Sequence, residues 1–460
     1  GFFPGGIDVF GRGLVSNCLI IANSAALNSA GVRIEANFGG LMATVACCRI
    51  VGNVSGNGAG VNMSGGTLRD CTISSNLMNA TSSGNGGGGI FINNGTPTNY
   101  FAILNCLIEG NTSYSYGGGI RSQPFNLMRY IENTTIRSNV SGAFGGGGGY
   151  FQDNIALRSC LVEGNNFTGA TASAAGVHLM DGAKIENCTI ANNSSKSAGA
   201  GGVYLGGAVD GVFNTIAHSN QLGATFADVA LASASYTNSF WHCCAGAGTN
   251  LTAAQGNITE SPRWVAPSER NYGLQADSPC LNRGSNEIWM TNALDLNGLP
   301  RVDHLHRVVD IGAYERLSRS TLLLARSLYG ENKMTIEIGI VGCGNAARGI
   351  HYPSLSKRPD KFTVTACCDL APEKAANIAA LYDAKPYGDL AQFLAHPGLR
   401  LVLVTTRPPS THAEVALRAL AAGKDVLLEK PMCASHAEGV ALIAAARKHG
   451  RVLTVHHNRR

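Results

Sequence analysis

A short phrase recurs eight times in the first half of the chain, and its fixed internal spacing limits the possible folds more than any other feature. Each copy places an Asn five residues after a Cys or Thr, as in residues 70–76 (DCTISSN) and 105–111 (NCLIEGN). Small or apolar residues alternate with polar ones, which is typical of a strand with one buried face. Glycine-rich runs such as residues 145–149 then lead into a second short strand, because glycine tolerates sharp corners between strands. The Cys or Thr stands at positions 18, 48, 71, 106, 134, 160, 188 and 215.

This spacing predicts that the chain begins with an all-β solenoid. One repeat of roughly 25–30 residues cannot bury its own apolar face, so successive repeats must stack on one another. The arrangement that fits is a parallel β-helix with one repeat per coil. We expect the Cys and Thr side chains to stack inside it and the recurring Asn side chains to form a hydrogen-bonded ladder at a turn.

Residues 271–315 follow a different pattern, which includes the segments 277–284 (DSPCLNRG), 295–301 (DLNGLPR) and 309–315 (VDIGAYE). They resemble the end segment of bacterial right-handed parallel β-helix proteins of the choice-of-anchor type. The resemblance covers roughly residues 1–315 and implies an exported surface protein, with roles in carbohydrate contact or adhesion. On this basis residues 1–315 are expected to form one right-handed domain.

Some enzymes with a β-helix fold use clustered acids to cleave polysaccharides, but the acids of this region are scattered about one per repeat. We expect isolated carboxylates on a solvated face, with Arg137 placed between Glu109 and Glu163 in a weak row of ion pairs. His178 and His218 lie alone and are expected to be packed or at the surface. The scattered acids are Asp70, Glu109, Glu132, Asp153, Glu163, Asp181 and Asp210.

Composition excludes several other classes of protein and of site. The 14 cysteines include three adjacent pairs, and neighbours on a strand point to opposite faces, so we expect buried thiols rather than a disulfide framework. Cys and His nowhere have zinc-site spacing, and no metal site is predicted. No dense basic run suggests a nucleic-acid partner, and no apolar run is long enough to span a membrane. Residues 1–30 lack the basic start and apolar core of a signal peptide, but Gly1 is not an initiator Met, so export stays open.

The composition changes after residue 315, which indicates a second, separately built region. Residues 1–315 hold 48 of the 58 glycines and carry a net charge of −4, whereas residues 316–460 carry +9. We predict a linker at 316–333 and an α/β domain at 334–460. Its first strand, residues 336–341, runs into a glycine turn at Gly342 and Gly344 and then into a helix. Amides at such a turn bind the pyrophosphate of a dinucleotide.

Asp369 stands at the end of the next predicted strand, residues 362–368. A carboxylate there can hydrogen-bond the adenosine ribose and repel a 2′-phosphate, which favours NAD over NADP. As an alternative, Asp369 caps the helix that begins near Pro372. Further strands at 399–405, 425–428 and 452–455, with helices at 412–421 and 434–449, complete a doubly wound Rossmann sheet.

The phrases at these strand ends resemble the Gfo/Idh/MocA family, which takes its name from glucose–fructose oxidoreductase, inositol dehydrogenase and a rhizopine-catabolism protein. They are residues 342–345 (GCGN), 405–412 (TTRPPSTH), 422–431 (AGKDVLLEKP) and 458–460 (NRR). The resemblance implies an NAD(P)-dependent sugar or polyol oxidoreductase, with Lys430 as the catalytic residue beside the nicotinamide and the reacting hydroxyl. The cofactor-binding residues predicted from the pattern and the resemblance are Gly342, Gly344, Asn345, Ala346, Asp369, Thr405, Pro408, His412, Glu429, Lys430 and Asn458.

Members of that family continue past the Asn-Arg-Arg phrase into a substrate domain that supplies an Asp and a His for proton transfer. Because nothing follows Arg460 here, we expect cofactor binding without efficient turnover, since proton transfer contributes roughly 10²–10⁴ in rate. Met334 stands where a separate protein would begin, so read-through of two genes and a true fusion both remain open.

The compartment is also open, because the β-helix type is exported and the C-terminal type is cytoplasmic. As the alternative function, the chain is an exported surface or carbohydrate-binding protein with an incidental C-terminal domain.

Overall fold

The computed structural model describes residues 5–26, 29–35, 42–80, 86–93, 100–124, 128–196, 199–246, 251–302, 307–316, 336–351, 355 and 362–456. The chain divides into two compact units, residues 1–323 and 324–460. The predicted linker beyond Arg316, Met334 and Asn458 lie outside the described residues. No helix among the described residues is long and apolar enough to cross a membrane.

The first unit is rich in parallel sheet and contains four nine-stranded sheets, to each of which most repeats contribute one short strand. The strands of successive repeats pair in register within a sheet; Ile73, for example, lies opposite Ile50 on one side and Ile108 on the other. We call this array the repeat stack.

The first sheet consists of Ile7–Phe10, Val32–Glu35, Val61–Met63, Ile90–Ile92, Ile120–Ser122, Gly149–Phe151, Val177–Leu179, Val203–Leu205 and Val229–Leu231. The second consists of Leu14–Ser16, Thr44–Ala46, Gly66–Arg69, Phe101–Leu104, Arg129–Glu132, Ile155–Arg158, Lys184–Glu186, Gly211–Phe213 and Phe240–Trp241. The third consists of Leu19–Ile21, Arg49–Val51, Thr72–Ser74, Leu107–Glu109, Thr135–Arg137, Leu161–Glu163, Thr189–Ala191, Ile216–His218 and Cys244–Ala245.

The fourth sheet consists of Ser24–Ala25, Val54–Ser55, Leu77–Met78, Thr112–Ser113, Val140–Ser141, Asn166–Phe167, Ser194–Ser195, Gln221–Leu222 and Thr225–Phe226, of which the last pair is antiparallel. Two small sheets pair Ser173–Ala174 with Gly199–Ala200 and Trp264–Ala266 with Asn271–Leu274. Short 3₁₀ helices span Ala234–Ser239, Ala253–Gln255, Pro267–Glu269 and Ile288–Asn292.

The predicted asparagine ladder is confirmed. The side-chain amide of each recurring Asn donates to the side-chain oxygen of the Asn in the next repeat, at 2.8–3.0 Å from Asn23 through Asn220. Asn220 donates to Asp228 at 2.9 Å, where the row ends. The Cys and Thr positions from 48 to 215 are buried, as predicted, although Cys18 in the first repeat and Cys47 are exposed. The side-chain amide of each recurring Asn is therefore paired, as a buried polar group must be to avoid a desolvation penalty.

Residues 271–315 pack against the outer side of the third sheet. Tyr272, Leu274 and Ile311 share an apolar cluster with Leu161 and Ile216 of that sheet. Arg301 is fully buried and forms a 2.7 Å ion pair with Glu315, and its Nε donates to the Ser159 hydroxyl at 3.0 Å. The segment is therefore attached to the repeats by apolar burial and by hydrogen bonds from the buried Arg301 guanidinium to Ser159 and Asn187.

The prediction that the acids of the repeats are isolated on a solvated face is wrong for Glu163. Its carboxylate is buried beneath the end segment and accepts a 2.8 Å hydrogen bond from the Tyr272 hydroxyl. Glu109, by contrast, forms the expected half-exposed ion pair with Arg137 at 2.7 Å. His178 is buried against the Tyr150 ring, as a packed histidine is expected to be.

The second unit is a Rossmann-like α/β domain. Its sheet has the order β3-β2-β1-β4-β5-β6 and is parallel throughout. The strands are β1 (Ile336–Val341), β2 (Phe362–Cys368), β3 (Lys385–Tyr387), β4 (Leu401–Val404), β5 (Asp425–Glu429) and β6 (Leu453–His456). The α-helices are α1 (Pro372–Ala379), α2 (Leu390–Leu394), α3 (His412–Ala421) and α4 (His436–His449), with a π-helical turn at Ala347–His351 and a 3₁₀ turn at Pro409–Thr411.

This sheet explains where a ligand can bind. The strand order reverses direction between β1 and β4, and in open parallel sheets the crevice at such a reversal, at the carboxyl ends of the strands, is the ligand site. Sequence analysis located β1, β2 and α3 but missed β3 and α2. β3 is three residues long and contains Pro386, so no strand periodicity marks it.

Candidate functional site

The two glycines of the turn after β1 have different surroundings: Gly342 is closely packed and Gly344 is not. Gly342 has a φ of +93°, and a Cβ there would lie 2.6 Å from the Thr405 carbonyl carbon, so only glycine fits. Gly344 is exposed, and a Cβ there would meet nothing within 4 Å. Gly342 is therefore needed for packing against the end of β4, whereas the space beside Gly344 is open to a ligand.

Asp369, at the end of β2, holds the glycine turn in place. One carboxylate oxygen accepts the Cys343 backbone N–H at 2.8 Å, and the other accepts the Ala371 backbone N–H at 2.9 Å. Ala371 is the residue that precedes α1, so Asp369 bonds to the N-cap residue of this helix and does not itself cap the first turn. Asp369 is partly exposed, so lone pairs of its carboxylate remain for a further donor.

Thr405 and His412 brace the loop after β4. The Thr405 hydroxyl donates to the Gly342 carbonyl oxygen, and its backbone N–H donates to the Val341 carbonyl at 2.8 Å. The side chains of Thr405 and His412 are both buried. The ring nitrogens of His412 lie 2.8 Å from the Pro431 carbonyl oxygen and 3.0 Å from the Thr406 carbonyl oxygen. These two predicted cofactor residues thus connect the strand-end loops.

Asn345, Pro408 and Lys430 present their side chains outward at the same edge of the sheet, where all three are exposed. Ala346 is half-buried beside Asn345 at the start of the helical turn. Of the predicted residues that the structure describes, Asn345, Pro408 and Lys430 are thus exposed at this edge, whereas the buried Thr405 and His412 hold the loops.

Glu429, the last residue of β5, is bonded on both carboxylate oxygens. Its Oε1 lies 2.9 Å from His351 Nε2 and 2.8 Å from His456 Nδ1, and its Oε2 accepts the Lys430 backbone N–H at 3.1 Å. Burial alone raises the pKa of Glu429, but the hydrogen bonds from His456 and His351 outweigh it and hold the pKa below its usual range. Burial lowers the pKa of His351, partly offset by the bond to Glu429.

Sequence analysis missed His351 and His456, because their partner Glu429 is 78 and 27 residues away. The available signal was positional: each residue follows or ends an element at the carboxyl edge of the sheet.

Residues 336–457 match the sequence model of a family described as "Oxidoreductase family, NAD-binding Rossmann fold", which is the Gfo/Idh/MocA family. For this region the resemblance to that family is confirmed. Similar proteins include the NADP(+)-dependent scyllo-inositol 2-dehydrogenase of Bacillus subtilis, 35% identical over 134 residues, which are 29% of this chain and 36% of the relative. The inositol 2-dehydrogenase of Burkholderia ambifaria is 34% identical over 122 residues, 26% of this chain and 36% of the relative.

Among solved structures, a dehydrogenase from Bordetella pertussis in complex with NADH and UDP-GlcNAcA is 28% identical to the matched region. The match covers 26% of this chain and 37% of that one, with a TM-score of 0.26. The chain spans about a third of the length of the curated relatives named above. The family match therefore applies to the C-terminal unit, which we call the Gfo/Idh/MocA unit.

Proposed function

We propose that the Gfo/Idh/MocA unit binds a nicotinamide dinucleotide and forms the cofactor half of a sugar or polyol oxidoreductase. The observation that carries this proposal is the glycine turn at the reversal of the strand order, with Gly344 open to a ligand. The names of the Bacillus and Burkholderia relatives support a polyol such as inositol as the substrate class.

In this proposal the backbone amides from Gly344 onward hold the pyrophosphate, because those of Gly342 and Cys343 donate within the domain. Asn345 and Pro408 line its approach. The carboxylate of Asp369 accepts hydrogen bonds from the adenosine ribose and disfavours a 2′-phosphate, so NAD is bound in preference to NADP. Thr405 and His412 keep the surrounding loops in place, and Ala346 and Asn458 contribute further cofactor contacts.

Lys430 is the proposed catalytic residue. Its ammonium group, on an exposed side chain at the end of β5, would donate a hydrogen bond to the hydroxyl being oxidised. The bond from its backbone N–H to Glu429 holds the lysine at that strand end.

Titration of the full chain with NAD and NADP tests this proposal. Gly344→Val would place methyl groups in the path of the pyrophosphate, so we expect it to weaken NAD binding at least tenfold while the melting temperature stays unchanged. Gly349→Val is the matched control, because Gly349 is also exposed and its Cβ would also meet nothing within 4 Å. Equal NAD binding by both variants would contradict the proposed site.

We further propose that residues 1–315 form a right-handed parallel β-helix of exported type, with a carbohydrate as the partner. The observation that favours this second function is a row of rings that follows the outer side of the first sheet through Tyr150 and Tyr204. In the segments just before two of its strands, Tyr116 stacks on Phe144 with 4.6 Å between centroids. Both rings are half-buried, as is Tyr204 farther along the row. Exposed faces of such rings can pack against the apolar side of a sugar.

A glycan-binding screen with the full chain tests this second function. The expected result is binding of a polysaccharide that Phe144→Ala reduces at least fivefold, whereas Phe226→Ala, which removes an exposed ring from the fourth sheet, leaves it unchanged. If no glycan binds, the carbohydrate function is wrong.

A further inference from the structure

Three side chains with metal-binding atoms converge at the carboxyl ends of β5 and β6. Among the described residues, His351 Nε2, a Glu429 carboxylate oxygen and His456 Nδ1 lie within 4.8 Å of one another. They come from the π-helical turn after β1, the end of β5 and the end of β6. No spacing motif connects residues so far apart in sequence, so only the fold brings the three atoms together.

We propose that His351, Glu429 and His456 bind one divalent transition-metal ion, with Zn²⁺ as the representative ligand. Two imidazoles and one carboxylate are a donor set that suits Zn²⁺ and other first-row ions. Three protein ligands also leave a coordination position for water or for a substrate oxygen. This inference concerns a ligand other than the dinucleotide and does not depend on dinucleotide binding.

The carboxylate is already oriented for such a role. Glu429 Oε2 accepts the Lys430 backbone N–H, which fixes the group and leaves Oε1 facing the two imidazoles. Hydrogen bonds of this kind from outside the ligand set hold ligands in place and increase metal affinity.

Two of the three side chains are buried, and the third is partly exposed to solvent. The side chains of His351 and Glu429 are 7% and 8% exposed, whereas that of His456 is 31% exposed. An ion can therefore enter past His456 and be held in a largely dry site.

Metal coordination requires the three ligand atoms to rearrange, because the described contacts are hydrogen bonds. Oε1 lies 2.9 and 2.8 Å from the two ring nitrogens, at hydrogen-bonding distance. Ligands on a tetrahedral ion with bonds of roughly 2.0–2.1 Å lie about 3.3–3.4 Å apart, so each of these two contacts must widen by about half an ångström. The two ring nitrogens, which the described geometry places within 4.8 Å of each other, must approach one another at the same time. Each neutral imidazole then carries its proton on the ring nitrogen that does not face the ion.

Titration of the chelator-treated full chain with Zn²⁺ and Co²⁺, without dinucleotide, tests the proposal. We expect one ion per chain, a visible Co²⁺ spectrum typical of nitrogen and oxygen ligands, and no response to Mg²⁺. His351→Ala should weaken Zn²⁺ binding at least tenfold. His436→Ala is the matched control, since it removes an exposed imidazole at the start of α4, and it should leave Zn²⁺ affinity unchanged.

His456→Gln separates metal binding from simple support of Glu429. The Gln amide can still donate to Glu429, so the fold is retained, but the imidazole ligand is lost, and we expect Zn²⁺ affinity to fall at least tenfold. Wild-type Zn²⁺ affinity in this variant would overturn the proposal. So would the absence of stoichiometric Zn²⁺ binding, or a Co²⁺ spectrum with the intense near-ultraviolet band of thiolate ligands. Loss of NAD binding alone would leave the proposal standing, because no step of the test uses NAD.

Discussion

In the repeat stack each recurring Asn up to Asn193 donates to the equivalent Asn of the next repeat. In the Gfo/Idh/MocA unit, different polar side chains come from separate elements and meet at one sheet edge. Asn165, for example, bonds to Asn139 on one side and Asn193 on the other. Glu429 instead bonds to His351 and His456, which belong to different elements. Repetition spreads equivalent polar contacts along the stack, while convergence concentrates different chemical groups at one place.

The largest effect is expected for a substitution at the centre of the ladder. Asn165→Ala removes a side chain that accepts bonds from the Asn139 backbone and amide and donates to the Ile136 carbonyl and to Asn193. Several buried polar groups lose their partners, so we expect the free energy of unfolding to fall by about 3–5 kcal/mol.

Asn23→Ala is the matched variant at the half-buried first rung, where the side chain makes one bond to Asn53. We expect it to cost about 1 kcal/mol. Denaturant unfolding followed by circular dichroism measures both variants, and equal losses would show that the ladder does not stabilise the interior.

A smaller effect is expected at the glycine turn of the Gfo/Idh/MocA unit. Gly342→Ala puts a Cβ against the end of β4 at a φ of +93°, so we expect a loss of about 2–4 kcal/mol in stability. Gly344→Ala meets no neighbouring atom and should change stability by less than about 0.5 kcal/mol. Thermal unfolding of the two variants separates the packing glycine from the ligand-facing one, and similar melting temperatures would contradict this division.

Asp369→Ala tests the proposed cofactor preference of the Gfo/Idh/MocA unit. It removes the acceptor for the Cys343 and Ala371 backbone N–H groups and the proposed ribose contact, so NAD binding should weaken about tenfold, or about 1.4 kcal/mol. NADP binding should weaken less, because the repulsion of a 2′-phosphate is also lost.

Glu414→Ala is the control for Asp369→Ala, since Glu414 is exposed in the first turn of α3. It should leave both affinities unchanged in the same fluorescence titration. A NAD-to-NADP ratio that Asp369→Ala does not alter would be evidence against the ribose assignment.

The smallest effect is expected for the ion pairs on the outside of the repeat stack. The Arg137 and Glu109 side chains are 28% and 33% exposed, so solvent screens their attraction. Arg137→Ala should cost less than about 1 kcal/mol, and added salt should reduce even that difference. A loss as large as that of Asn165→Ala would contradict the view that the interior ladder, rather than the outer ion pairs, holds the stack.

Repeated contacts could be predicted from the sequence, whereas converging contacts between distant segments could not. The ladder repeats with fixed spacing, so one sequence pattern revealed all of its rungs from Asn23 to Asn220. The strand β1, its glycine turn and Asp369 could also be placed, because local patterns mark them.

Contacts between distant segments could not be predicted from local patterns. The burial of Glu163 depends on Tyr272, which lies 109 residues further along the chain. Likewise, the meeting of His351, Glu429 and His456 depends on the order of strands in the sheet. Neither contact leaves a mark in a window of neighbouring residues.

The most direct test of the central claim is calorimetric titration of the full chain with NAD, with NADP measured under the same conditions. We predict saturable binding of one NAD per chain and weaker binding of NADP. A folded chain that releases or absorbs no binding heat with either dinucleotide would contradict the account.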